Sequence, residues 1–158
     1  MSAAIPELVP QSEMFVNFRF GVFFFAGGVV PNTLDVRFKK VTGLSRTVKT
    51  TPLEEGGQNL YTQPLPSRVE YGNLVLERGM VASSPLRVDF DDAMSLFKFA
   101  PSNVLVTLFS EAYTPVSAWF FSRAYPVKWS IADLAAEPKE LLIESLELAY
   151  ARMQIMKV

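Results

Sequence analysis

From Met14 the segment "MFVNFRFGVFFF" alternates, with Phe15, Asn17, Arg19 and Gly21 on one side and Val16, Phe18, Phe20 and Val22 on the other. Side chains two apart share a face of a strand, so this period predicts a strand with one apolar face. It becomes apolar on both faces near Phe23, Phe24 and Phe25. "GGVVPNT" follows as turn chemistry, and "LDVRFKKVTGL" resumes the alternation, with Leu34, Val36 and Phe38 against Asp35, Arg37 and Lys39. The two runs together predict a β-hairpin or bulged ribbon.

Residues 49–67, "KTTPLEEGGQNLYTQPLPS", read as a polar loop with three prolines and a Gly-Gly. Loops this long inside a compact domain are usually functional or disordered. "RVEYGNLVLERG" predicts one alternating strand, with Leu74 and Leu76 opposite Val75 and Glu77. Ser84-Pro85 is a helix start, an N-cap serine before a first-turn proline. Leu86, Phe90, Ala93, Met94 and Phe97 continue at helical spacing, with Asp89, Asp91 and Asp92 on the other side, and Pro101 is the expected stop, though Leu86, Val88 and Phe90 leave a strand reading open for the first turn. "NVLVTLFSE", "VSAWFFSRAYPVKWS" and "KELLIESLELAYARMQIMK" complete the set as strands. In the last, Leu142, Leu146 and Leu148 share one parity, and Ile143, Ala149 and Met153 the other.

Five or six antiparallel strands with one helix predict a mainly β fold, a small antiparallel β-barrel or sandwich with one flanking α-helix. Residues 1–14, with Pro6 and Pro10, read as an N-terminal arm, and residues 15–158 as a single domain. The apolar run over residues 20–30 is far shorter than the ~20 residues a membrane-spanning helix needs. No membrane insertion is expected. No secretory signal is visible either, because Glu7 and Glu13 stand in the first 14 residues without Lys or Arg.

Composition narrows the function. Among 158 residues there is no Cys and no His, which removes disulfides, the usual zinc sites and nucleophilic dyads built on histidine. A net charge of −1 gives no electrostatic case for nucleic acid, and it does little to keep copies of the chain apart. Gly56-Gly57 fits no phosphate-binding loop, and the aspartates lack the spacing of a calcium loop. Glu144 and Glu147, three apart on a strand, point to opposite faces and read as solvated or interface charges. Lys128, between Val127 and Trp129, reads as a strand lysine with its stem packed and its ammonium in water. No catalytic residue, metal site or cofactor is expected. Long apolar strands with little net charge need covered edges, and pairing with neighbouring subunits is one way to cover them.

Four ordered motifs carry a resemblance: "GLSRTVKTTPLEEGGQN", "LPSRVEYGNLVLERGM", "WFFSRAYPVKWSIADL" and "ELLIESLELAY". Over residues 35–151 the chain resembles tube proteins of contractile phage tails and extracellular contractile injection systems. These are related to the haemolysin-coregulated tube protein of type VI secretion. The resemblance implies a structural homo-hexamer whose rings stack on the same or a paralogous tube protein. Hub, spike and baseplate proteins, a surrounding sheath and a cargo protein in the lumen are the implied partners. Assembly in the bacterial cytoplasm and release with the particle are implied too. By the same resemblance, Glu54, Glu55, Gly56, Gly57, Gln58 and Asn59, with Leu65, Pro66 and Ser67, reach an adjacent subunit or ring. The chain departs from the family at Tyr150 and Ala151, where histidine and glutamate are common, and in a longer, Phe-rich N-terminal stretch. That stretch hints at a specialised ring near the baseplate, a tube initiator. The alternative from another class is a monomeric β-barrel holding a small apolar ligand. An enzyme using Glu144 or Lys128 ranks third.

Overall fold

The computed structural model describes residues 19–25, 37–54, 56–57, 60–80, 84–134, 136 and 141–157. The expected N-terminal arm, the first part of the Phe-rich strand and the "GGVVPNT" turn lie outside the described residues. Nine strands and one helix are present among the described residues. The strands are β1 (Phe20–Phe25), β2 (Lys40–Thr42), β3 (Arg46–Leu53), β4 (Gln63–Tyr71), β5 (Leu74–Gly79), β6 (Ser102–Phe109), β7 (Pro115–Ile131), β8 (Ile143–Ala149) and β9 (Arg152–Lys157), and the helix is α1 (Pro85–Leu96).

Seven strands form one antiparallel sheet in the order β1-β6-β7-β8-β5-β2, with β9 also paired to β7. The long strand β7 makes this arrangement possible. Its first half pairs with β6 on one side and β9 on the other, and its second half, from Tyr125, pairs with β8. The change of partner falls at Arg123, whose φ of 52° lies in the left-handed region that side chains other than glycine rarely adopt. The Arg123 amide donates to the Asn103 side-chain oxygen at 3.2 Å, which holds the bend.

The bend brings two halves of the sheet over one core. Val22, Phe24, Val104, Val106, Phe121 and Met153 come from one half, and Leu74, Leu76, Leu146 and Leu148 from the other. Alternation explains the β5 and β8 contributions, since every second residue of Leu74–Gly79 and of Ile143–Ala149 faces inward. Helix α1 adds Leu86, Phe90 and Ala93. The mainly β, antiparallel, single-helix class is the one expected.

The strand assignments differ from expectation in four places. The Phe-rich strand and the strand before Gly43 are not hairpin partners: β1 pairs with β6 and β2 with β5. "RVEYGNLVLERG" is two strands, broken at Gly72-Asn73. The break is locked from the other side by Gly43, at φ 88°, where a Cβ would stand 1.9 Å from the Asn73 carbonyl oxygen. The C-terminal run is also two strands. The break at Tyr150-Ala151 lets Met153 turn inward although it shares parity with the outward Ile143 and Ala149. Helix α1 starts at Ser84-Pro85 as predicted but ends at Leu96, before Pro101. There Phe97 takes a left-handed conformation, φ 53°, and stands 84% exposed, so neither it nor Met94 belongs to the buried face.

The fourth difference is the largest. The segment expected as a polar loop is an antiparallel hairpin of β3 and β4, a two-stranded sheet of its own. Both strands are exposed along almost their whole length, with only Glu70 and Tyr71 half-buried at the base. Three prolines inside strands misled the reading. They are tolerated because a two-stranded hairpin leaves each strand one unpaired edge, where a missing N–H costs nothing.

Candidate functional site

The hairpin has two unlike faces. Register places Val48 opposite Val69, Thr50 opposite Pro66 and Pro52 opposite Pro64. Alternation along β3 sets these pairs on one face, with Arg46 opposite Tyr71 at its base, so beyond the base that face is largely apolar and proline-rich. Lys49 and Arg68 lie opposite each other on the second face, and both reach Glu70 at 3.0 Å. The hydrogen bond from Lys49, with Arg68 contributing, holds the Glu70 carboxyl below its ordinary value. The pairing slips between Lys49 and Thr50, where Ser67 is an extra residue of a β-bulge.

Of the residues assigned to the interface by resemblance, Glu54, Gly56 and Gly57 stand exposed at or beside the hairpin tip, with Gly57 at φ 103°. Leu65, Pro66 and Ser67 are exposed within β4. Glu55, Gln58 and Asn59 lie outside the described residues. Leu60, 96% exposed, and Tyr61 add apolar surface beside the tip. An isolated two-stranded hairpin is marginal in water, so this one needs further contacts along its faces.

At the hairpin base, Tyr71 packs on Tyr150 at 5.7 Å between ring centroids, and Tyr150 packs edge-on against Phe121 at 4.7 Å. This aromatic stack ties the hairpin to the core. The Tyr150 hydroxyl is buried without a hydrogen-bond partner. Burial raises the pKa of this phenol, and Tyr71 adds to the rise. A raised acid pKa makes the contribution of the neutral phenol complete below the ordinary value near 10 and lost as pH climbs through the folded value. Tyr150→Phe is expected to keep the stack and to raise stability by about 1 kcal/mol, because an unsatisfied buried hydroxyl is removed. It should also blunt alkaline unfolding. Thermal melts at neutral and alkaline pH check both effects, and a lower Tm at neutral pH would reveal a partner for the hydroxyl.

On α1 a groove of about 710 Å³ lies between the helix and β7, lined by Pro85, Val88, Met94 and Trp129, with Arg87, Asp89 and Asp91 beside them. Its floor rests on a buried polar network. Glu144, expected to be solvated or at an interface, is instead fully buried, and Arg78 pairs with it from the facing position of β5. Arg78 Nε donates to Glu144 Oε1 at 2.6 Å, and Trp129 Nε1 donates to Glu144 Oε2 at 3.2 Å. Arg78 Nη2 donates to Ser84 Oγ at 2.7 Å, and the same oxygen caps α1 by accepting from the Arg87 amide. The Arg87 guanidinium lies 5.7 Å from the centre of the Trp129 ring, and that of Arg78 lies 5.3 Å from the Phe38 ring. One ion pair thus fastens the helix N-terminus to the sheet.

Glu144 therefore does not meet Glu147, which lies on the outer face and accepts from Asn73 at 2.8 Å. Lys128 is exposed opposite Glu147 in the register. Neither arrangement brings an acid and a base to one cavity. Among the described residues no group of three His, Cys, Asp or Glu could hold a metal ion, and no helix is long and apolar enough to cross a membrane.

Residues 16–154 match the model of the T4-like virus tail tube protein gp19 family. The chain belongs to that family. Its fold is similar to a chain of the anti-feeding prophage (AFP) baseplate, determined by cryo-EM with 6-fold symmetrisation, with 38% identity over 90% of this chain and 95% of the other and a TM-score of 0.82. A chain of the sheath–tube complex of the extracellular contractile injection system PVC has 18% identity, with 93% and 94% covered and a TM-score of 0.76. Hcp1 from Flavobacterium johnsoniae has 13% identity, with 89% and 97% covered and a TM-score of 0.54, a likeness of fold. No curated protein matches the sequence. This chain is a structural protein of the tail tube and baseplate type of contractile injection systems.

Proposed function

We propose that the chain forms the hexameric ring of the inner tube that lies next to the baseplate hub and spike, from which the rest of the tube grows. The observation that carries this reading is a difference in likeness. Identity is 38% to the chain of a baseplate but only 18% and 19% to chains of a sheath–tube complex and a tube-terminating cap, at similar coverage. The role is mechanical and non-enzymatic. The ring seats a paralogous tube protein on one side and the hub on the other, a sheath surrounds the tube, and cargo travels in its lumen. Cytoplasmic assembly and release with the particle belong to the same reading. Residues 54–59 and 65–67 make the contacts with a neighbouring subunit or ring, supported by their exposure on a hairpin that has little packing of its own. The rival, a barrel with a ligand inside, is disfavoured because Val22, Leu74, Leu76, Val104, Phe121 and Leu146 fill the space between the sheet halves.

Negative-stain electron microscopy with light-scattering mass on one sample tests the proposal. Six-fold rings that stack only when a shaft tube protein is added are the expected result. Long tubes from this chain alone would move it to the shaft, and a monomer of 17.7 kDa at all concentrations would reject ring assembly.

A further inference from the structure

We propose that the exposed aromatic cluster at the end of α1 is the seat of this chain's own N-terminal arm, residues 1–18, which reaches it across the outer face of the sheet. The inference concerns a single copy of the chain and stands apart from the assembly reading above.

The cluster is one run of rings. Phe97 meets Phe99 edge-on at 4.9 Å between centroids, and Phe99 meets Tyr125 edge-on at 5.8 Å. All three are exposed, as are Leu96, which precedes Phe97, and Met94, which lies one helical turn back. Phe97 is held away from the core by its left-handed backbone, a conformation that aromatic residues seldom take. Large apolar side chains gathered on a surface in this way mark a docking site.

Three observations name the occupant. First, an apolar track leads from the root of the arm to the cluster. Val22, Phe24, Val104, Val106 and Phe121 belong to the core, so alternation turns Phe23, Leu105 and Phe120 to the outer face. Register sets these three in one row across β1, β6 and β7, and all are half-buried. Tyr125 faces the same way, since Ala124 and Pro126 on either side of it are buried. Second, the arm is long enough. Arg19 stands ahead of β1 at the Leu108 end of β6, and Tyr125 lies just past the other end, where Ser102 pairs with Ala124. About eight residues of strand and two strand spacings put roughly 30 Å between them. Val9 is ten residues before Arg19, which extended span roughly 35 Å. Third, the composition of the arm fits. Ile5 and Leu8, and Pro6 and Val9, are three apart, the spacing that shares a face in a polyproline-type helix, and aromatic surfaces receive such segments. Phe15, Val16 and Phe18 supply apolar groups for the track. Glu7 and Glu13 are the charged side chains of residues 1–18, and the exposed charges flanking the cluster in sequence are Lys98 and Arg123.

Because the chain has no cysteine, paired substitutions report directly. Val9→Cys is combined with Lys98→Cys in one protein and with Tyr113→Cys in a second. Tyr113 is exposed and its ring lies 4.7 Å from the Arg19 guanidinium, so an arm with no seat would meet that position at least as often. Both proteins are treated with a short thiol–thiol cross-linker, and the linked peptides are read by mass spectrometry. A link within one chain keeps the 17.7 kDa mass on a denaturing gel, and a link between chains doubles it. The expected result is a link within one chain between positions 9 and 98, several-fold stronger than that between 9 and 113. Phe97→Ser with Phe99→Ser should remove the preference while the thermal melt stays close to the parent's. Equal yields at the two positions, or a preference that survives loss of both rings, would overturn the inference. Links found only between chains would overturn it as well, by assigning the cluster to a neighbour's arm. None of these outcomes decides whether rings form, which microscopy reads separately.

Discussion

Glu144→Ala is expected to lower the stability of the fold by about 3–5 kcal/mol, because it leaves the Arg78 guanidinium buried opposite a missing carboxylate. For a domain of this length that is a fall in Tm on the order of 10 °C. The loss has three parts: the charged hydrogen bonds, the Trp129 N–H left without its acceptor, and a weaker hold on Ser84 at the start of α1. Glu144→Gln should lose less, since an amide oxygen still accepts from Trp129 or Arg78. The combination of Glu144→Leu with Arg78→Met should recover part of the deficit, because a buried pair replaced as a unit leaves no uncompensated charge. Chemical denaturation of the four proteins measures these differences. A Glu144→Ala chain within about 1 kcal/mol of the parent would mean that water reaches the pair in solution.

The paired substitution Val48→Asp with Val69→Asp should abolish rings and stacks while leaving the melting of the monomer almost unchanged. The two side chains face each other on the apolar side of the hairpin and are about half exposed, so two carboxylates there remain solvated in the free chain. In an assembly that covers this face they would be desolvated. Changes at exposed positions away from structural features usually stay within ~0.5 kcal/mol of the parent's stability. Light-scattering mass reads the assembly and a thermal melt reads the fold. Intact rings from the substituted chain would show that this face of the hairpin stays in solvent. A large fall in monomer Tm would show instead that the hairpin packs on its own body.

The hairpin shows where reading the sequence stopped. Lys49 to Ser67 contains three prolines and Gly-Gly, and local rules take such a stretch for a loop. Those rules describe a strand with neighbours on both sides. In a two-stranded ribbon the prolines sit on free edges, and that pairing is a property of the fold. The C-terminal run failed in a related way. Its period-2 pattern held through Ala149, and only the break at Tyr150-Ala151, where pairing passes from the second half of β7 to the first, reversed the parity that buries Met153. Helix α1 was legible because its signals are local: Ser84 caps, Pro85 starts the first turn, and Leu86, Phe90 and Ala93 repeat at helical spacing. Its end was less so, because Phe97 closes it in a conformation that side chains other than glycine seldom take.

Four motifs, in order, carried the tube-protein resemblance, and the family match over residues 16–154 stands on the same stretch of chain. Alternation in β5 and β8 determined which leucines face the core, since side-chain direction along a strand follows from backbone geometry alone. That parity also placed Glu144 with Leu146 and Leu148, so its burial was visible in principle. Its partner was not. Arg78 lies 66 residues away, and the two meet only because β5 and β8 pair in one register and β7 brings Trp129 alongside. Local pattern fixes the direction of each side chain, but what it faces depends on strand pairing over long separations, which only the tertiary structure decides.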